Sequence, residues 1–309
     1  MRIAGRLAAG AVAAGLIVMV SATAPAARAA TAASTGSAAV TPAVTTGPLA
    51  AVRARWAEIA VAATGKDLWS RSSVSERPMG SITKVMTAYV VLTTPKLNLN
   101  RVITVPAAVV SYDEEFDAST AGLRPGEKLT TLQLLYAMML PSGCDAAFTL
   151  ATAYGPGFNG FIAKMNATAH KLGLTKTHFT DPAGLPNPGQ YSTYSTAHDL
   201  VNLGRDAMKL KTLAAVVAAR SYHVAVTSAH RAHTWKNLNP LLTMYKGALG
   251  IKTGYTGAAG QCLLFEAKRG TKTLIGVVLD SSSDISKITA ASKDAAVMLN
   301  WAFNKYGTS

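Results

Sequence analysis

The chain has 309 residues, 49% of them hydrophobic and only 15% charged, with 30 Lys+Arg against 16 Asp+Glu and a formal net charge of +14. That much apolar material excludes disorder over the whole length, and 2 Cys exclude both a disulfide scaffold and a cysteine-based zinc framework. The length allows one large domain or two modest ones, and the positive balance asks for an anionic partner among nucleic acid, anionic lipid and acidic wall polymer.

Arg2 and Arg6 precede an uncharged run from Leu7 to Val20, and Ala27-Arg28-Ala29 puts small residues where a signal peptidase reads them. Residues 1–29 are therefore expected to be a secretory signal, with an uncleaved anchor as the competing reading. The run falls short of the roughly 20 residues of a comfortable membrane span. Cleavage removes three arginines and lowers the charge from +14 to +11, so the basic character belongs to the folded part. Export argues against nucleic acid and for the anionic polymers of a cell envelope. Residues 30–52 are rich in Ala, Thr, Ser, Gly and Pro without periodicity and read as a flexible spacer, leaving 53–309 as the folded unit.

Order is expected from near Arg55. Trp56 to Ala63 and Asp67 to Ser70 flank Thr64-Gly65-Lys66 as a hairpin. Ser81 to Thr93 predicts a helix with Ile82, Val85, Met86, Tyr89 and Val90 on its apolar face. Leu129 to Tyr154 predicts two helices broken at Pro141-Ser142-Gly143, because proline cannot continue a helix. Phe161 to Leu172 and Thr196 to Met208 predict two more, the second capped by Ser195 or Thr196. Ala248 to Tyr255, Gln261 to Lys268 and Thr273 to Asp280 predict an antiparallel meander, and a helix from about Ser286 to Phe303 follows. The expected fold is therefore α/β of the α+β kind: an antiparallel sheet built from both chain ends, flanked by helices. An all-helical subdomain at about 85–245 is expected to be inserted, with the site in the cleft between the two.

Ser81 and Lys84 stand three apart at a helix start, on one face, where an amine can take a hydroxyl proton and free N–H groups favour negative charge. No other Ser in the chain has Lys three residues on, yet alone the pattern reads equally as a capped helix with a solvated lysine. Ser142-Gly143-Cys144 on the interhelix break and Lys252-Thr253-Gly254 in the first meander strand have bland readings too, as a turn and as an edge-strand lysine beside a bulge glycine. In this order the three define the active-serine enzymes that react with penicillin.

The sequence resembles the low-molecular-mass penicillin-binding proteins, serine D-alanyl-D-alanine carboxypeptidases and transpeptidases. The likeness runs from about Arg55 to the C-terminus. It includes the stretches Gly80 to Ala88, Leu135 to Gly143, Met165 to Phe179, Ser195 to Leu200 and Gly250 to Thr256. The resemblance implies a β-lactamase/DD-peptidase-like fold and, residue by residue, a mechanism without metal or other cofactor. Ser81 would attack the carbonyl between two D-alanines of a peptidoglycan stem peptide. Lys84 would be its base, which requires burial and a nearby like charge to bring an ordinary pKa of ~10.4 down. Lys252 would supply that charge and, with Thr253 and Gly254, hold the substrate carboxylate. Ser142 would relay a proton to the leaving amine, and the N–H groups of Ser81 and Tyr255 would form the oxyanion hole. β-Lactam antibiotics would be covalent inhibitors.

Most relatives have Asn where this chain has Cys144, and a thiol cannot replace an amide that binds the substrate backbone. Some actinobacterial members share this replacement and favour transfer, so hydrolysis and transfer both stay open, as does a packing role for Cys144. Two rivals are a β-lactamase-like hydrolase and a catalytically weak wall-binding protein. A class A β-lactamase needs a deacylating glutamate, and no Glu lies between Ser142 and Lys252. A weak binder should have lost Ser81, Lys84 or Lys252. The hairpin register is expected to set Cys262 across from Thr253; a Cys144–Cys262 disulfide is conceivable but not the expectation. His230 and His233 beside Trp235 lack a third ligand at metal spacing and read as turn or surface residues. Asp113, Glu114 and Glu115 read as a solvated acidic loop, and Tyr191 and Tyr194 as packed aromatics or cleft lining. The second β-rich domain and amphipathic anchor of many relatives are expected to be absent.

Overall fold

The computed structural model describes residues 47–306. The expected signal, and most of the expected spacer, lie outside the described residues.

The spacer's last residues belong to the fold. Pro48–Ala51 form a 3-10 turn, and Leu49 and Val52 are buried against the C-terminal helix. The Asp294 carboxylate of that helix accepts the N–H groups of Arg53 and Ala54 at 3.0 and 2.7 Å. Order therefore begins before Arg55: two apolar side chains and a buried acceptor outweigh the spacer-like composition around them.

The predicted hairpin is β1 (Trp56–Val61) and β2 (Asp67–Arg71). A 3-10 turn at Gly80–Thr83 runs directly into α1 (Lys84–Leu92). Next come β3 (Val102–Thr104), α2 (Val109–Glu115) and β4 (Lys128–Thr130). The acidic run is thus a helix and not a loop, because Val109 and Tyr112, three apart, turn one face into the core. The two helices expected around Pro141 are α3 (Thr131–Met139) and α4 (Cys144–Tyr154). A reciprocal capping box starts α3: the Thr130 hydroxyl accepts from Gln133 N–H, and the Gln133 side chain accepts from Thr130 N–H.

The remaining insertion comprises α5 (Gly157–Lys171), α6 (Ala197–Met208) and α7 (Lys211–Ala218), followed by the hairpin β5 (Ser221–Val224) and β6 (His233–Lys236) and the short α8 (Leu241–Met244). Thr196 caps α6 by accepting from Asp199 N–H. The meander is β7 (Ala248–Gly254), β8 (Cys262–Arg269) and β9 (Lys272–Leu279), and α9 (Ala290–Tyr306) follows. In β7–β8 Cys262 faces Gly254, and Thr253 faces Leu263, one residue from the expected register.

One antiparallel sheet joins the two ends of the described chain in the order β2-β1-β9-β8-β7. Alternation assigns its faces. Ala57 and Ile59, Leu263, Phe265 and Ala267, and Leu274 and Val278 pack with α9 residues Ala295, Met298 and Leu299. Ala60, Leu264, Ile275 and Val277 face the helical insertion, where α6 packs on the sheet with Gly204 against Leu264 and Ile275. Burial on both faces explains why these strands read as nearly continuous apolar runs. The architecture is the expected α+β sheet with an inserted, mainly helical region; the β3–β4 and β5–β6 ladders within it depart from the all-helical insertion expected, their strands of three or four residues being too short to show a period.

Candidate active site

Lys84, Ser81, Ser142, Cys144 and Lys252 converge where the 79–84 turn, the α3–α4 break and β7 meet. In 3-10 winding, residues three apart eclipse, so Ser81 and Lys84 lie more directly over one another than an α-helical start would place them. Lys84 Nζ is 2.8 Å from Ser81 Oγ. Lys84 is wholly buried. Its nitrogen also lies 3.5 Å from Ser142 Oγ, 3.3 Å from Cys144 Sγ and 3.2 Å from the Ala183 carbonyl oxygen.

The Ser142 wall is held in an unusual backbone state. Ser142 has φ +65°, a conformation that costs a non-glycine residue on the order of 1–2 kcal/mol. Three ties around it offset that cost. Ser119 Oγ donates to the Ser142 carbonyl at 2.8 Å, Cys144 N–H donates to the Ser119 carbonyl at 2.8 Å, and Gly143 N–H donates to the Ala137 carbonyl at 3.2 Å. Asp145, buried in the first turn of α4, accepts N–H groups from Ala121 at 2.9 Å, Leu123 at 2.9 Å and Ala146 at 2.8 Å. Burial raises its carboxyl, while these amides and the charge of Lys84 pull the other way.

β7 supplies the third side. Lys252 is 2% exposed, and among the described residues its ammonium donates only to its neighbour Thr253, at 3.1 Å to the carbonyl and 3.3 Å to the hydroxyl. Burial, and after it the charge of Lys84, lowers Lys252 from 10.5 to about 7. The lowered group is Lys252 itself, which the resemblance had cast as the perturbing charge. The end of the strand is pressed onto the turn that carries Ser81: a Cβ on Gly254 would sit 2.3 Å from the Met79 carbonyl oxygen, and one on Gly80 2.7 Å from Tyr255 N. This contact brings the Tyr255 amide beside the Ser81 segment. The Tyr255 ring points away, its hydroxyl 3.3 Å from the Ser283 carbonyl.

The sequence reading missed a fourth element, the loop 181–185. Asp181 accepts N–H groups from Ala183 at 2.8 Å and Leu185 at 3.0 Å and the Tyr112 hydroxyl at 2.7 Å, which aims the Ala183 carbonyl at Lys84. Thr87 of α1 anchors the same loop through the Pro182 carbonyl at 2.6 Å. Gly184, at φ +82°, tolerates no side chain, since a Cβ would lie 2.1 Å from the Gly80 carbonyl oxygen. The run Asp181-Pro182-Ala183-Gly184 is turn chemistry visible in the sequence, but a backbone carbonyl leaves no residue-type signal of its own.

The weaker candidates fall elsewhere. Cys144 and Cys262 are both free and buried. Burial raises the Cys144 thiol, opposed by Lys84 and Ser119; Cys262 is pushed up to about 12 and donates to the Ala259 carbonyl at 3.3 Å. His233 Nε2 is 3.1 Å from Glu127, which also accepts Arg231 N–H at 3.0 Å, so this histidine ties the β5–β6 hairpin to the segment before β4. Among the described residues no three His, Cys, Asp or Glu side chains are grouped to hold a metal ion. Asp113 is half-buried and raised to about 7, chiefly by burial and then by Asp145. Tyr191 is exposed under the Arg77 guanidinium, and Tyr194 packs against His178.

Comparison with known proteins points the same way. A family model described as D-alanyl-D-alanine carboxypeptidase matches residues 42–283. The D-alanyl-D-alanine carboxypeptidase of Streptomyces sp. (strain K15) is 42% identical over 250 residues, covering 78% of this chain and 84% of that protein. The crystal structure of the Streptomyces K15 DD-transpeptidase is 41% identical, with TM-score 0.76 over 82% of this chain and 98% of that one. A D-alanyl-D-alanine carboxypeptidase structure from Mycobacterium tuberculosis is 34% identical, with TM-score 0.72 over 81% and 91%.

Proposed function

Since the chain belongs to the D-alanyl-D-alanine carboxypeptidase family and is a serine DD-peptidase of cell-wall metabolism, we propose a division of labour among its clustered side chains and a substrate for them. The substrate is a peptidoglycan stem peptide ending in D-Ala-D-Ala. Its terminal carboxylate lies at Lys252 and Thr253, alongside the Gly254 backbone. Because Lys252 is depressed to about 7, arrival of a carboxylate and protonation of this lysine reinforce one another.

Ser81 attacks the carbonyl between the two D-alanines while Lys84 takes the hydroxyl proton. The 2.8 Å separation of the two groups is the observation that carries this reading. The developing oxyanion accepts from the N–H groups of Ser81 and Tyr255. Ser142, 3.5 Å from Lys84 Nζ, passes the proton to the departing amine. The C–N bond breaks, D-alanine leaves, and an ester on Ser81 remains. Attack on that ester by water gives a carboxypeptidase product and by an amine a transfer product. Cys144, 3.3 Å from Lys84, stands beside this branch point.

Penicillin, whose strained amide presents the same carbonyl and a carboxylate, acylates Ser81. With no Glu between Ser142 and Lys252 to activate a deacylating water, the ester is long-lived. We place the action outside the cytoplasm, on the support of Arg2, Arg6, the Leu7–Val20 run and Ala27-Arg28-Ala29. Among the described residues no helix is long and apolar enough to cross a membrane.

A fluorescent penicillin tests the reading. The parent protein is expected to carry one stable label and the Ser81→Ala variant none; an unlabelled parent, or equal labelling of both, overturns it.

A further inference from the structure

A cavity of about 480 Å³ lies where α6 and α7 cross the sheet, and none of the reactive cleft's residues line it. Met208 of α6, Ala214 and Ala218 of α7 and Leu249 of β7 form its walls, with the short alanines leaving the space open. Glu266 of β8 lies in its floor, only 6% exposed. Alternation along β8 explains the position: Leu263, Phe265 and Ala267 take the α9 face, so Glu266 shares the opposite, helix-covered face with Leu264.

A carboxyl on such a face needs a partner, because an unpaired buried charge is costly. Among the described residues none donates a hydrogen bond to Glu266 or forms an ion pair with it; burial acts on it alone and raises it to about 7. The cations around the cavity are turned elsewhere. Arg205 donates to the Ala62 carbonyl at 2.9 Å and to Asn202 at 3.3 Å, and Lys209 pairs with Asp206 at 2.6 Å. Lys268, two residues beyond Glu266 on the same face, is exposed and has no ion-pair partner among the described residues. The cavity therefore presents a carboxyl in its depth and a free ammonium at its mouth. The Cα atoms of Glu266 and Lys268 lie about 7 Å apart along the strand and the two side chains form no ion pair, so a ligand that reaches both carries its own charges at separated ends, as a dipeptide does.

We propose that this cavity binds a small zwitterionic peptide of dipeptide size, its ammonium on Glu266, its carboxylate on Lys268 and its small side chains against Ala214 and Ala218. The site would hold ligand without chemistry, and the inference does not depend on the roles assigned to Ser81 or Lys84.

The test is an NMR titration of the isotopically labelled full chain with L-alanyl-L-alanine and D-alanyl-D-alanine. The amides of Ala214, Ala218 and Leu249 report on the cavity, and those of Ser81 to Lys84 on the cleft. Saturable shifts at the cavity amides are expected below about 10 mM peptide. They are expected to vanish for the N-acetylated peptide and to weaken more than ~10-fold in Glu266→Gln. Lys268→Ser, at an exposed position, should weaken binding less. The proposal is overturned by no saturable shift at the cavity, by shifts confined to the cleft, or by equal affinity in parent and Glu266→Gln. It is also overturned if D-alanine binds as tightly as the dipeptides. If Glu266→Gln fails to fold, the N-acetylated peptide on the parent protein decides: unchanged binding refutes the Glu266–ammonium pair.

Discussion

Lys252 should destabilise the protein it serves. A buried cation with folded value about 7 against 10.5 in the unfolded chain is depressed. Between those two pH values the unfolded chain holds a proton that the folded chain lacks, so stability rises with pH across that window. At pH 7.5 the folded lysine is mostly neutral, and stripping its proton costs about 4 kcal/mol at 1.36 kcal/mol per pH unit. Lys252→Met keeps the length of the side chain and removes that cost. It also removes the donations to the Thr253 carbonyl and hydroxyl, together worth about 2 kcal/mol. The net expectation is a gain of about 2 kcal/mol, a rise in melting temperature of roughly 4–8 °C for a fold of this size. Scanning calorimetry of parent and variant at pH 7.5 and 9.5 measures it, and the advantage of the variant should shrink at the higher pH as the penalty on the parent falls. Fluorescent-penicillin labelling of the same variant should slow by ~10²-fold or more, the scale of losing one preorganised electrostatic contact. A variant that melts at or below the parent at pH 7.5, or that labels at the parental rate, refutes the account of Lys252 as a strained functional cation.

Asp145→Ala strands the amides of Ala121, Leu123 and Ala146; at about 1 kcal/mol for each the loss is about 3 kcal/mol, read by urea denaturation, and a change below about 1 kcal/mol would show that the loop does not depend on this carboxylate. Cys144→Asn replaces a thiol beside Lys84 with an amide. Chromatography of the products of a D-Ala-D-Ala peptide, with and without an acceptor amine, should show a shift from transfer toward hydrolysis, and an unchanged ratio would remove Cys144 from control of the branch.

Legibility followed the physics of each element. The Trp56–Val61 hairpin, α1, the α3–α4 break and the three-strand meander carry strong periodicity or a proline, and they stand where the sequence put them. α2 and α7 escaped because each turns only two or three side chains inward, too few to mark a period in the polar stretch of Asp113 to Glu115 or beside Lys209 to Lys211. The one-residue slip at Cys262 arose in the turn from Tyr255 to Gln261, whose length alternation cannot set. Of the site, Ser81, Lys84, Ser142, Cys144 and Lys252 were all legible as side chains. What escaped ends on main-chain carbonyls: that of Ala183 on Lys84, and that of Ser142, which the Ser119 hydroxyl ties at a positive φ.

The pairing of β1 with β9 has a consequence for how the molecule comes into being. Trp56 meets Leu279 and Val61 meets Leu274, a separation of more than two hundred residues in the chain. The turn bearing Ser81 is pressed into shape by Gly254 of β7. A chain synthesised only as far as α7 holds Ser81, Lys84 and Ser142, yet lacks Lys252, the Tyr255 amide and the strand that β1 must join. Such non-local closure is slow to nucleate, so under the proposed roles the reactive cluster is expected to be complete only once this closure has occurred.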